Sequence, residues 1–313
     1  MRTMICISNY YSAKSSFLRK FFTPPLSPPL LGGIKGGVII FGCGFCALLS
    51  ILLFVHAGYA AGSSETEEMI LIPAGKFLMG SSDEEVKELK DTFGKRELYG
   101  DYPFDAEMPK RKVFVKSFRI DRHEVTNKKY AQFIKETGHK PPRHWQGGMY
   151  NSGKGDYPVL YVSQEDAAAF AKWAGKRLPT EEEWEKAARG ANGRIFPWGN
   201  EFDPYKTVTA DSDLRLILGA LCVTNSANKV EMASGDFSPY GVRDMAGNVR
   251  EWTSTAAPGT PSMVIVKGAS WVDLSINARA AHREYIPKNS VSHIIGFRCV
   301  KNAELKLTAL QAH

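Results

Sequence analysis

From Gly190 to its end the chain holds no long run of helical or strand periodicity; glycines, prolines and short apolar pieces alternate every few residues. Such a segment cannot satisfy its backbone in long helices or one wide sheet. It must fold as small strands joined by long ordered loops, which need side chains to hold them in one conformation. The part before Gly190 is more regular. Thr126 can cap a helix that puts Tyr130, Phe133 and Ile134 on one face, and Ser163-Gln-Glu-Asp166 opens a second helix carrying Ala167, Phe170, Ala171 and Trp173 to a stop at Gly175. A third follows Pro179, with Thr180 and Glu183 as a capping box and Trp184 and Ala187 facing inward. Residues 69–73 and 112–120 alternate as strands do, the second turning Val113, Val115, Phe118 and Ile120 toward a core. Together these elements predict one α+β domain over residues 69–301, after a linker at 61–68 and before a tail at 302–313.

The net charge of +7 misleads, because residues 1–60 carry Arg2, Lys14, Arg19, Lys20 and Lys35 and no acid, leaving the remainder at +2. A nucleic-acid surface is therefore not expected. Within this leader a low-complexity stretch rich in proline precedes the apolar residues 38–55, and Gly58-Tyr-Ala60 supplies the small side chains that signal peptidase prefers. The leader thus reads as a cleaved export signal, with a retained inner-membrane anchor over residues 38–55 as the alternative. Either reading puts the domain outside the cytoplasm, periplasmic or secreted in one case and tethered in the other. Of five cysteines, Cys6, Cys43 and Cys46 lie in the leader, so Cys222 and Cys299 alone remain to form a disulfide, and a disulfide-rich scaffold is excluded. The Cys43 and Cys46 spacing inside an apolar run is read as packing, not redox chemistry.

Seven blocks carry a further signal: Pro73-Ala-Gly-Lys-Phe-Leu-Met-Gly80, Ile120-Asp-Arg-His-Glu-Val-Thr-Asn127, Gly175-Lys-Arg-Leu-Pro-Thr-Glu-Glu-Glu-Trp184, Phe196-Pro-Trp-Gly-Asn200, Gly241-Val-Arg-Asp-Met-Ala-Gly-Asn-Val-Arg-Glu-Trp252, Gly268-Ala-Ser-Trp271 and Gly296-Phe-Arg298. In that order they resemble the formylglycine-generating enzyme, or sulfatase-modifying factor, family. The resemblance implies a compact C-type lectin-like fold. Each block also has a plain structural role. Gly80, Gly190, Gly199, Gly247 and Gly296 suit positive dihedrals or close approach, and Trp173, Trp184, Trp198, Trp252 and Trp271 suit a core. Arg177, Glu181, Glu185 and Arg298 are expected in buried or half-buried ion pairs.

The resemblance also implies a calcium site, with side chains of Asp244 and Glu251 and carbonyls of Gly247 and Val249 as ligands. The plain alternative has Asp244 capping a turn and Glu251 paired with an arginine. The family's oxidation of a sulfatase cysteine uses copper held by two cysteines after the block matching Gly268-Ala-Ser-Trp271. Copper(I) is soft and needs thiolates, yet Val272-Asp-Leu-Ser-Ile-Asn-Ala278 contains no sulfur, so copper is not expected. Cys299 matches a cysteine that some relatives use in a structural disulfide, but the partner position in the 183–189 segment is alanine here, which leaves Cys222 as the candidate partner. His123, His139, His144, His282 and His293 lack helical two-histidine metal spacing, and no catalytic residue can be nominated. A surviving substrate pocket would be walled by Ser270, Trp271, Asn277, Arg279 and Arg283, its two arginines facing an anion, unless they are tied to the acidic helix near Glu181. Three functions fit: an exported non-oxidase module binding a peptide, glycan or protein in the cell envelope; a divergent oxidative tailoring enzyme; and formylglycine generation, which the missing thiolates disfavour.

Overall fold

The computed structural model describes residues 69–93, 103–210 and 227–303; the leader and Cys222 lie outside them. Nine strands form three small sheets. Met69–Ile72 (β1) and Val300–Asn302 (β9) both pair antiparallel with Phe118–Asp121 (β4), so the first and last strands flank the same central one. Gly75–Met79 (β2) and Arg111–Val115 (β3) form a two-stranded ribbon. Arg250–Ala257 (β5) and Thr260–Lys267 (β6) make the long hairpin of the third sheet, completed by Arg283–Pro287 (β7) beside β6 and Ile295–Gly296 (β8) parallel to β5.

The strand expected over 112–120 is two strands. Lys116 and Ser117 interrupt it, and the halves serve different sheets, β3 with β2 and β4 with β1 and β9. Val115, Phe118 and Ile120 are buried as the alternation predicts, whereas Val113 is half-buried on the ribbon.

Among the described residues four α-helices accompany the sheets: Asp83–Phe93 (α1), Asn127–Thr137 (α2), Gln164–Trp173 (α3) and Glu181–Arg189 (α4). The start signals read from the sequence are present as hydrogen bonds. Thr126 accepts from the Lys129 amide, and Ser163 with Asp166 and Thr180 with Glu183 form reciprocal capping boxes. Helix α1 was not expected, although Ser82 and Glu85 bond each other's backbone amides at its start. It is a mostly polar helix that anchors Val86 against Phe104 and Ile276.

Two apolar clusters make up most of the core. One joins α2 and α3 to the third sheet through Tyr130, Phe133, Phe170, Trp252, Val266 and Phe297. The other sets Trp184 and Ala187 of α4 against Ile72, Phe77, Phe118, Ile120 and Val300. Trp184, Trp252 and Trp271 are buried and Trp173 and Trp198 half-buried, the core role expected of them. Gly247 shows why one of the glycines is needed. A Cβ there would lie 2.3 Å from Thr207 Oγ1 and 2.7 Å from the Val208 carbonyl, a backbone atom that cannot swing aside. Thr180→Ala is expected to lower stability by about 1 kcal/mol through the lost cap, and Gly247→Ala by about 1–3 kcal/mol through overpacking; urea midpoints at neutral pH measure both.

Candidate functional site

Strand β6 ends at Lys267 and the chain turns at Gly268 into Ala-Ser-Trp271, the place where the copper ligands of an oxidase would follow. Here the turn is closed by an acid. The Ser270 amide and hydroxyl both donate to Asp273 Oδ2, at 2.7 and 2.6 Å, and Arg250 grips the same carboxylate through Nε at 2.8 Å and Nη2 at 2.6 Å. Trp271 donates its amide to the Asn248 carbonyl at 2.9 Å and packs among Val208, Ala227, Ala233 and Val249. Beyond it a 3-10 turn, Ser275–Ala278, buries Ile276, Asn277 and Ala278. The interval is thus an oxygen- and hydrocarbon-lined wall.

The two arginines expected to face a ligand are buried and have other partners. Arg279 forms a bidentate pair with Glu107 at 2.6 and 2.7 Å, and Glu107 also accepts from Ser81 Oγ at 2.9 Å. Arg283 donates to Glu181 Oε1 at 2.9 Å and to the Ala106 and Met108 carbonyls. For Arg283 the structure follows the alternative of a tie to the acidic helix; for Arg279 the partner is Glu107, which carries no distinguishing signal in its sequence neighbourhood. Ser270, Trp271, Asn277, Arg279 and Arg283 are therefore all buried, and the charges of the two arginines are neutralised within the protein.

The acidic face of α4 continues this network. Glu185 accepts from Lys267 Nζ at 2.8 Å, Arg189 Nη1 at 2.9 Å and the Gly80 amide at 2.7 Å, all buried. Burial alone would raise this carboxyl; Lys267 and Arg189 outweigh it and hold the group below its ordinary value. Arg177 pairs with Glu183 at 2.6 Å on the more exposed side.

Around Arg298 the geometry is tighter still. Its Nε and Nη2 contact both oxygens of Glu251 at 2.7–3.0 Å, and Trp184 Nε1 donates to Glu251 Oε2 at 2.8 Å. The remaining guanidinium hydrogens reach the carbonyls of Asp121, Arg122, Arg243 and Asp244. Desolvation opposes the Arg298 charge, but Glu251 outweighs it and the group is held more firmly protonated than usual.

This arrangement bears on the expected calcium ligands. Glu251 has both oxygens engaged, Asp244 Oδ2 accepts from the Glu231 amide at 2.6 Å, and the Gly247 carbonyl accepts from the Val249 amide at 2.9 Å. Among the described residues no three His, Cys, Asp or Glu side chains are grouped to hold a metal ion. The hydrogen bonds of Asp244, Gly247 and Glu251 are thus the protein contacts of three of the four expected ligands. The expected disulfide between Cys222 and Cys299 falls partly outside the described residues; Cys299 is buried and has no disulfide partner among the described residues, and burial, then Asp121, raises its thiol well above the ordinary value.

Sequence reasoning passed over two acids beside this centre. Glu124 Oε2 and Asp236 Oδ1 are buried without a hydrogen-bond partner among the described residues. Burial, then the Asp244 charge, raises Glu124 well above its ordinary value and pushes Asp236 up to about 8. Asp244 is pushed up to about 6, again chiefly by burial. An acid following a glycine in a turn-rich stretch, as Asp236 does, gives no sign that it will be buried.

Two measurements follow. Glu251→Gln leaves Arg298 buried without its counter-charge and is expected to cost about 3–5 kcal/mol in urea unfolding. Asp236 favours its protonated form in the folded state, so its contribution is complete below its ordinary value of 3.8 and is lost as pH rises toward about 8. Asp236→Asn should therefore raise the melting temperature at pH 8 relative to the parent and leave little difference at pH 4.

Comparison with known proteins agrees with the blocks read in the sequence. The model of the sulfatase-modifying factor enzyme 1-like domain matches residues 58–303. Among relatives, the mouse (Mus musculus) protein named inactive C-alpha-formylglycine-generating enzyme 2 is 32% identical over 77% of this chain and 88% of its own. The formylglycine-generating enzyme of Streptomyces coelicolor is 30% identical over 79% and 93%. The structure of PvdO from Pseudomonas aeruginosa has the same fold, with a TM-score of 0.57 at 24% identity over 75% of this chain and 94% of that one. The short-stranded α+β body, the ordered loops and the match across the whole described domain make this chain a member of the sulfatase-modifying factor family.

Proposed function

We propose that the chain is a non-oxidase member of its family, an exported binding or accessory module that engages a peptide, glycan or protein in the cell envelope through the loop-rich face of the fold. The observation that carries this reading is the interval 272–278. It has no sulfur, and its side chains are committed elsewhere: Asp273 to Ser270 and Arg250, Ile276 to the cluster with Val86 and Phe104, and Asn277 to the interior. Replacing two soft thiolate donors by a carboxylate, an isoleucine and an amide removes the preference for copper(I), and with it the oxygen activation that depends on the metal. The family contains a relative named inactive, which supports the same direction. The envelope location rests on the leader sequence alone.

The experiment is a copper(I) titration of the purified protein against a competing chelator, with turnover of a Cys-x-Pro-x-Arg peptide followed by mass spectrometry. No tight cuprous binding and no loss of the cysteine thiol are expected. Formylglycine in the product would overturn the reading.

A further inference from the structure

A cavity of about 180 Å3 opens beside the loop that joins α2 to the rest of the domain, and it shares no residue with the Ser270–Arg283 wall. The local sequence builds it. Helix α2 ends at Gly138 in a left-handed cap, and Pro141-Pro142 then fix an extended backbone that leaves Lys140 and Arg143 exposed at the cavity's rim. Facing them is Tyr161, whose φ of +58° is strained for a bulky residue. Its amide donates to the Ser292 carbonyl at 2.9 Å, and its ring carries the Arg143 guanidinium at 5.2 Å and the His144 ring at 4.6 Å. Val162 and Val291 complete the apolar lining.

The inner end is formed by Tyr130. Its ring is enclosed by Phe133, Phe170, Phe297 and Trp145, at centroid distances of 5.3 to 6.3 Å, and Tyr130 is itself part of the cavity lining. Tyr130 is 0% exposed, and its hydroxyl has no acceptor among the described residues. Burial and then the Asp166 charge keep that hydroxyl protonated far above its usual range, so it can act as a donor at any working pH. Trp145, 6% exposed, has an indole N–H that is likewise without an acceptor. Buried donors without acceptors are uncommon and costly, and here two belong to rings in edge contact, 6.1 Å between centroids. Asp166 does not relieve them. Its Oδ1 is 2.8 Å from His139 Nε2, and its Oδ2 accepts from the Ser163 amide and hydroxyl at 2.9 and 2.7 Å.

The chemistry that would complete this cavity is narrow. It needs an acceptor oxygen at the inner end, one negative charge near Lys140 and Arg143, and hydrocarbon against the prolines and valines. The charge of Asp166 opposes any anion and opposes a dianion twice as strongly, while Lys140 and Arg143 outnumber it and leave room for a single negative charge. A cavity of about 180 Å3 is slightly larger than the cavities of about 150 Å3 that take up benzene, a size that suits one small apolar residue. We propose that the cavity binds a carboxylate carried on a short apolar group, with a ligand oxygen accepting from Tyr130, Arg143 and Lys140 balancing the charge, and Pro141, Pro142, Val162 and Val291 enclosing the apolar part. Such a group is presented equally by a free small acid and by the last residue of a peptide with an apolar C-terminus.

Calorimetric titration of the purified full-length protein with three probes tests this: N-acetyl-leucine, its uncharged methylamide, and an acetylated tetrapeptide ending in leucine with a free carboxylate. Saturable binding of at least one carboxylate probe is expected, at least tenfold tighter than the methylamide. Binding of the free acid alone identifies a small-molecule ligand, and retention by the tetrapeptide identifies a chain terminus. Arg143→Gln, at an exposed position, should weaken binding at least fivefold. Tyr130→Phe keeps the ring and removes the unpartnered hydroxyl, so it should raise the melting temperature of the free protein and abolish the shift that the ligand produces. Equal binding of acid and methylamide, no saturable binding of any probe, or a Tyr130→Phe protein that melts lower and binds unchanged would each overturn the assignment. Because the copper titration addresses the non-oxidase reading and this one does not, either can fail without the other.

Discussion

Arg298 and Glu251 form the contact on which the rest of the molecule is assembled. The guanidinium is surrounded by protein, and besides Glu251 it holds carbonyls from residues 121–122 and 243–244, while Trp184 reaches the same carboxylate from α4. Four segments far apart in sequence are thereby fixed at one point. A fold with three small sheets has few backbone ladders between its parts, so polar side chains must do what ladders do elsewhere. Buried charge pairs are poor sources of net stability, but they are exacting about geometry, which is what long loops need.

The same logic extends to the segment that follows β6. The wall after Gly268 is held by Asp273, Arg250, Glu107 and Arg279, all of them hard, charged groups making short contacts. None of these contacts needs sulfur or a metal. Likeness of fold to PvdO says nothing about reaction.

How much of this could be read beforehand depended on the range of the interaction. Capping boxes at Ser163 and Thr180 are local, three residues long, and appear where their spelling indicates. The blocks were legible as structural ties, and Arg177, Glu181, Glu185 and Arg298 do form ion pairs. Partners were not legible, because a salt bridge across 172 residues, as between Glu107 and Arg279, leaves no periodic trace. The break at Lys116 and Ser117 does leave a trace, because the inward positions change phase there, from Val113 and Val115 to Phe118 and Ile120, but the change of pairing partners leaves none. Helix α1 was missed although its capping residues stand in plain sight, since one buried valine gives a weak apolar stripe. The carboxylate cavity was invisible for a similar reason. Tyr130 reads as core from its helical position, and nothing in the sequence says that its hydroxyl will lack an acceptor.

The placing of β1 and β9 on either side of β4 has a mechanical meaning. Both run antiparallel to β4 and hence parallel to each other, with Met69 opposite Asp121 and Asn302 opposite Phe118. The described chain thus enters at one end of this sheet and leaves at the other. Tension applied between those two points would slide the outer strands lengthwise along the middle one, loading their hydrogen bonds simultaneously instead of peeling them apart in turn, the geometry in which a small sheet resists pulling best.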